Sequence, residues 1–283
     1  MIGIDEEKCN QCNLCYQVCI GGPIFKGPEI KSDPDLLCIE CGHCYAICPE
    51  SAITLKGYED FEPYELTEKP PVDGPSLMKL LRGRRSGRIY KPEPVSREHL
   101  LEIIEAASLA PSAHNGYQTK AYVYQDEEMI SRIRDVTIQF YKRLLRIFNA
   151  PGFSLAWRLI GQDPDELDVH KYAFEGLWTS SKNEDILFYN SKTILAFTAP
   201  AHNAMALGDA WIMAQNAVNY AEAIKVATVY NGFIIQAASY DSRVRAAMRI
   251  PKGEKVVAVL NLGYPKYDFA REAPRRIMDI SWM

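Results

Sequence analysis

The chain has no cysteine beyond Cys48, although it holds eight in all. A disulfide framework spread through the fold is thereby excluded, and a chain of 283 residues needs none. Domains of this size bury about three quarters of the surface their unfolded chains expose. No apolar run reaches the roughly 18 residues of a membrane-spanning helix. The first residues, MIGIDEEKCN, lack a basic segment followed by an apolar one, so no secretory leader is read and the cytoplasm is the expected location. Neither GxGxxG nor GxxxxGK[ST] occurs, so no dinucleotide fingerprint and no P-loop is visible. Positive charge is not in excess either. The formal net charge is −4, which gives no general drive towards nucleic acid or anionic lipid. What remains is an ordinary globular composition, 47% apolar and 24% charged.

The cysteines carry the first positive signal. They run Cys9, Cys12, Cys15, Cys19 and then Cys38, Cys41, Cys44, Cys48, each set spaced C-x2-C-x2-C-x3-C. The interval from Cys9 to Cys38 also separates Tyr16 from Tyr45, Val18 from Ile47 and Ile24 from Ile53, so the segment is an internal repeat. Cysteines at every third residue let one tight turn offer three thiolates to a metal cube. Zinc would be satisfied by two CxxC pairs and would leave the third and fourth cysteines of each set surplus. A disulfide framework would need an oxidising compartment. His43, between Cys41 and Cys44, is read as a solvated turn residue and not as a ligand.

This pattern resembles the two-[4Fe–4S] bacterial ferredoxins over residues 1–56. The resemblance implies electron transfer, with the fourth cysteine of each set crossing to the other cluster. Cys9, Cys12, Cys15 and Cys48 would then hold one cube, and Cys38, Cys41, Cys44 and Cys19 the other. The first set departs from the ferredoxin pattern in having Ile20 where a proline usually follows; Pro23 after Gly21-Gly22 is expected to reverse the chain instead.

Residues 57–75 are rich in proline, acidic and aromatic residues without period, which reads as a linker. A second domain, 76–283, follows. A short helical stretch is expected at Leu77–Leu81. Ser96 is a candidate N-cap for a helix with Leu100, Ile103, Ile104 and Ala107 on its apolar face, closed by Pro111. Strands are expected at Ala121–Tyr124, Thr193–Thr198 and Val256–Leu262. The Ala-rich stretch 204–226 is nearly apolar all round, so a central buried helix is expected there. Helices around a small mixed sheet make this an α+β domain.

Arg84-Arg85-Ser86-Gly87-Arg88 places three guanidiniums and a hydroxyl in five residues, a dense anion site. The segment RRSGRIYKPEPVSREHLLEIIEAASLAPSAHNGYQ resembles the opening of the nitroreductase family of FMN enzymes. DILFYNSKTILAFTAP, KVATVYNGF and LGYPKYDFAREAPRRIMDISWM follow in that family's order, so the match spans about residues 80–280 with an interruption near 127–182. With the cysteine segment, the whole resembles the ferredoxin-fused nitroreductases. The resemblance implies that Arg84, Arg85 and Ser86 contact the FMN phosphate and ribityl chain, and that Arg88 approaches the pyrimidine edge. It gives Arg275 as a further phosphate arginine, with Arg276 as its neighbour in register. It implies that Pro111, Ser112 and Asn115 reach the FMN of the partner in a homodimer. Ala227 and Thr228 fall in the family's glycine loop, where Lys225-Val226-Ala227-Thr228 replaces Gly-Leu-Gly-Thr; glycine there is expected to let the backbone approach the flavin ring, and Lys225 either places a cation near the site or ends the preceding helix favourably at its C-terminus. Residues 128–182 have no counterpart, and most of their aromatics are expected to be core, with one or two lining a pocket.

The resemblance implies an FMN-dependent reductase with two [4Fe–4S] clusters. A low-potential donor such as a ferredoxin would supply electrons, and a small planar organic acceptor (a nitroaromatic, a quinone or an activated alkene) would take them. No protein nucleophile is expected. Three alternatives stay open: a redox sensor without steady turnover, a flavin-fragmenting or dehalogenating enzyme of the same fold, and a zinc-stabilised binding protein.

Overall fold

The computed structural model describes residues 2–20, 24–26, 30–32, 38–58, 60–63, 66, 72–179 and 185–283. Gly21, Gly22 and Pro23, much of the linker and the end of the aromatic insertion lie outside the described residues. The chain divides into two compact units. The first takes Met1–Pro71 with Ser112–Tyr117, and the second takes Val72–Pro111 with Gln118–Met283.

The first unit is built as its repeat requires. Strand β1 (Ile2–Ile4) is followed by helix α1 (Leu14–Val18), strands β2 (Ile24–Lys26) and β3 (Ile30–Ser32), helix α2 (His43–Ile47) and strand β4 (Ile53–Leu55). β1 pairs antiparallel with β4, and β2 with β3. The repeat extends into the backbone: Gln11 and Asn13 have φ of 58° and 67°, and their equivalents Glu40 and Gly42 have 54° and 73°. Left-handed residues thus alternate with ordinary ones through both cysteine loops, an arrangement that turns successive N–H groups inward as an anion-binding nest. Ile2, Ile24 and Ile53 pack with Cys15 and Cys44 as its core. The stretch Ser112–Tyr117 is tied in by Asn115 Nδ2, which donates to Glu40 O at 2.8 Å.

The second unit begins with α3 (Gly74–Gly83), capped by Asp73, whose carboxylate accepts from Ser76 N at 2.8 Å. α4 (Arg97–Ser108) starts where expected, with Ser96 Oγ accepting from His99 N, and buries Leu100, Ile103 and Ala107. β5 (Lys120–Tyr124) leads to a helical stretch of α5 (Glu127–Phe148), α6 (Phe153–Leu159) and α7 (Pro164–Thr179). Then come β6 (Thr193–Pro200), α8 (Ala204–Ala223), β7 (Ala227–Tyr230), α9 (Gly232–Tyr240), α10 (Ser242–Ala247) and β8 (Glu254–Gly263).

The sheet runs β5-β6-β8-β7, and every strand pair is antiparallel, where a mixed sheet was expected. Among the described residues its one parallel pairing is an isolated bridge, Ser86 to Thr228. β6 and β8 are central, which is why both faces of their sequences are apolar. Leu195 and Phe197 pack with α4 and α8 on one face. Ile194 and Ala196 pack with α5, α7, α9 and α10 on the other. Most aromatics of the insertion are core, as expected: Tyr141 is fully buried between Phe174 and Phe233.

α8 corrects one expectation. Its alanines Ala206, Ala210, Ala214, Ala217 and Ala221 recur on one face and let it lie close to α4 and the sheet. The opposite face is not buried in this chain. Met205, Trp211 and Ile212 are 61%, 45% and 46% exposed.

Candidate functional site

The cysteines form two cups. Cys9, Cys12, Cys15 and Cys48 line one cavity, with Ala52 and Ile53 behind them. Cys19, Cys38, Cys41 and Cys44 line the other, with Ile2 and Leu55. The crossing of the fourth cysteine is therefore present in the geometry. Zinc with four thiolates at about 2.3 Å would draw the sulfurs tightly together. Four thiolates spread around a cavity suit a cube. The sulfurs also accept hydrogen bonds: from Glu40 N to Cys38 Sγ and from Ala52 N to Cys48 Sγ, both 3.3 Å, and from Gln11 Nε2 to Cys9 Sγ at 3.5 Å. Such donors stabilise the reduced, more negative state of a cluster. Burial pushes the Cys44 thiol up to about 11 and raises that of Cys15, so both would be protonated without metal, and binding a cluster expels those protons.

In the second unit the Arg84–Arg88 turn leaves the end of α3 and is fixed from three directions. Ser86 pairs with Thr228, and Gly87 N donates to Thr228 O at 2.9 Å. Tyr90 OH donates back to Gly87 O at 2.5 Å, and its ring lies where a side chain on Gly263 would have to go, 2.6 Å from the would-be Cβ. Lys91 N donates to Tyr264 O and Lys266 N to Ile89 O. Arg275 adds a clamp: Nη1 donates to Leu81 O at 2.9 Å and Nη2 to Arg84 O at 2.8 Å, so its fork closes the C-terminal end of α3. Arg275 does not line the cavity described next; it holds the turn that does.

That cavity measures about 420 Å³ and is bounded by Arg85, Ser86, Arg88, Lys225, Val226 and Ala227, with Glu222, Tyr267 and Asp268. Arg85 is half-buried as a residue, lines the cavity and has no hydrogen-bond or ion-pair partner among the described residues. Its planar fork of five donors is suited to bind an anionic group such as phosphate. Burial raises the Glu222 carboxyl above its ordinary range, and the charge of Arg84 partly offsets this. Glu222, Tyr267 and Asp268 were not read from the sequence. Glu222 sits less than one turn before Lys225 on α8 and could have been; Tyr267 and Asp268 arrive through long-range packing that no local pattern encodes.

At the glycine loop Lys225 ends the helix, one of the two roles read for it. Lys225 N donates to Glu222 O and Val226 N to Ala221 O, the paired bonds of a Schellman motif that ends α8, with Lys225 itself at φ 59°. The family's first glycine is thus explained by helix termination, and Lys225 accepts the strain of that conformation. Ala227 stands where the second glycine would be, and a Cβ on Gly87 would lie 2.5 Å from its own. Thr228 is buried and serves the turn through its backbone. Pro111, Ser112 and Asn115 are not among the residues bounding this cavity.

Comparison with known proteins follows these two sites. The 4Fe-4S dicluster domain model matches residues 1–49 and the Nitroreductase family model residues 81–264. A Bacillus subtilis FMN reductase [NAD(P)H] is 42% identical over 60 residues, 21% of this chain and 24% of that protein, so this chain spans about a quarter of its length. A protein of Archaeoglobus fulgidus provisionally named an NADH dehydrogenase/NAD(P)H nitroreductase is 26% identical over 192 residues, 67% of this chain and 85% of that one. The crystal structure of a nitroreductase with bound FMN from Desulfitobacterium hafniense superposes with a TM-score of 0.54 at 18% identity, covering 72% of this chain and 98% of that one, which establishes the fold. Among the described residues no helix is long and apolar enough to cross a membrane. With the family model covering well over half of its length, from the arginine turn to the last strand, the chain belongs to the nitroreductase family.

Proposed function

We propose that this protein is an FMN-dependent reductase that takes electrons from an external low-potential donor, such as a reduced ferredoxin, through two [4Fe–4S] clusters and delivers them to a small organic acceptor. The observation that carries the reading is the unpartnered Arg85 guanidinium facing a cavity of about 420 Å³, in a chain that also holds two four-cysteine cups. Held at these sites, the cubes would supply one-electron transfer and FMN two-electron, hydride-type chemistry.

The chain's own residues divide the work. Arg85 binds the phosphate, with Arg84 and Ser86 beside it and Arg275 keeping the turn in place. Arg88 presents a cation to the pyrimidine edge, where it favours negative charge on the ring. The backbone of Ala227 and Thr228 carries the turn. Proton and hydride chemistry of this kind asks for no protein nucleophile. The exposed apolar face of Met205, Trp211 and Ile212 supports a homodimer, in which Pro111, Ser112 and Asn115 would complete the partner's site. Eight thiolates kept free for metal suit a reducing compartment such as the cytoplasm.

The test is the composition of anaerobically purified full-length protein. About eight iron and eight sulfide per chain are expected from two cubes, with one FMN. Zinc in place of iron, or an absence of flavin, refutes the reading.

A further inference from the structure

A second cavity, of about 400 Å³, lies wholly within the second unit and shares one wall residue with the first, Arg88. Its other walls include His170 and Phe174 from α7, Tyr189 from the turn before β6, and Phe233 and Gln236 from α9. Among the described residues its lining contains no acidic side chain.

Three observations converge on it. Tyr189 and Asn190 have φ of 56° and 55°, two successive non-glycine residues in the left-handed region, which a bulky aromatic rarely enters. The turn is pinned from behind: Asp185 accepts from Phe188 N and Tyr189 N and is paired with Arg134 at 2.7 Å. The strained Tyr189 ring is therefore held in place, and Arg88 lies over it with its guanidinium carbon 5.7 Å from the ring centre. Second, Arg88 has no carboxylate partner among the described residues, so its charge is available to a ligand. Third, Tyr141 OH shares its one proton between Phe233 O at 2.8 Å and Gln236 Oε1 at 3.0 Å, so the Gln236 amide is anchored at the cavity wall with an N–H donor left for a ligand. His170 stacks on Phe174 at 22° between planes and extends the flat aromatic wall.

We infer that this cavity is the acceptor site, and that it takes a planar aromatic molecule bearing a carboxylate or a comparable anionic oxygen group, held by Arg88 and Gln236 between aromatic walls. This rests on the flavin reading of the neighbouring cavity, with Arg88 standing between cofactor and acceptor. It also gives the insertion a function: α7, which has no place in the family's sequence pattern, supplies His170 and Phe174.

The experiment is calorimetric titration of the FMN-loaded full-length protein with 4-nitrobenzoate and with neutral nitrobenzene. The wild-type protein should bind the anion about tenfold more tightly or better. Ala173→Trp, which fills the cavity from α7, should weaken both by about tenfold or more without loss of flavin. Gln236→Glu is nearly isosteric, keeps the bond from Tyr141 and replaces donors with a charge; it should weaken 4-nitrobenzoate by about tenfold or more while leaving nitrobenzene unchanged. Should Ala173→Trp fail to fold, the Gln236→Glu result decides. Equal binding of the two probes, or indifference to both substitutions in a protein that retains FMN, overturns the inference while the flavin reading stands. A wild-type protein without FMN fails that reading first.

Discussion

Gly87 and Ala227 fit each other as a matched pair. A Cβ on residue 87 would lie 2.5 Å from the Ala227 Cβ, closer than side chains approach, so the methyl at 227 is possible because 87 has none. Adding a methyl at 87 is expected to cost about 1–3 kcal/mol through overpacking. Gly87→Ala should therefore lower the melting temperature and loosen FMN, and Ala227→Gly in the same chain should restore both. The coupling in that double-mutant cycle should be about 0.5–3 kcal/mol; simple additivity would show that the two positions do not meet.

Lys225 occupies a position made for glycine. Its φ of 59° costs a non-glycine residue roughly 1–2 kcal/mol. Lys225→Gly should thus raise the melting temperature of flavin-free protein by about 2–4 °C, given roughly 1 kcal/mol recovered in a domain of this size. The same change removes a cation from the cavity, so FMN should dissociate more readily even as the fold becomes more stable. Fluorescence titration with FMN beside the melting curve reads both effects.

Arg85→Ala should release FMN and leave the iron content unchanged, because the cysteines and the arginine turn belong to different compact units. Iron assay and flavin absorbance on the same sample check this. Full flavin occupancy in the variant would remove the anion-site reading.

Glu254 gives a pH signature. Burial pushes its carboxyl up, but hydrogen bonds from Lys120, Thr198 and Tyr122 outweigh burial and hold it below the usual carboxylate range. A depressed folded value means that its contribution is fully present above the unfolded value of about 4.3 and is lost as pH falls through the folded one. Glu254→Gln should cost about 2 kcal/mol at neutral pH, in line with hydrogen bonds to a charged group. The gap from wild type should close below about pH 4, as urea unfolding at stepped pH would show.

Cys41→Ser should remove about four irons per chain, leave FMN bound and stop turnover with reduced ferredoxin. Assays with NADH and NADPH belong beside it, since a relative bears NAD(P)H in its name. If the variant runs on NADPH as fast as the intact protein, electrons do not need the clusters to enter.

What could be read beforehand follows the range of each signal. The cysteine cups are local and repeated, so Cys9 to Cys48 revealed their count, and the resemblance to two-cluster ferredoxins implied their pairing across the two sets. The helix from Ser96 to Pro111 has its cap, its period and its terminator within sixteen residues, and it appears as expected. Thr193–Thr198 and Val256–Leu262 are apolar on both faces because both lie at the centre of the sheet. The antiparallel order β5-β6-β8-β7 had no such signature, since it depends on pairings between distant segments. The Arg84–Arg88 turn was legible as a run of arginines, whereas the other walls of its cavity were not. Tyr267 and Asp268 reach it only through tertiary packing, and the strain at Tyr189 is a backbone property that no side-chain pattern announces. For Lys225 the sequence left two readings side by side, because a residue that ends a helix and one that borders a ligand look alike in one dimension.

The clamp from Arg275 to Leu81 O and Arg84 O also orders events during synthesis. The arginine turn leaves the ribosome early, but the two carbonyls at the end of α3 gain their partner only after nearly two hundred more residues have emerged. Tyr264 and Lys266, which brace the same turn, come equally late. A nascent chain therefore carries the arginines of this turn for most of translation without the frame that holds them. Cofactor capture is a late event in this protein, and flavin cannot serve as the template on which the earlier part of the domain folds.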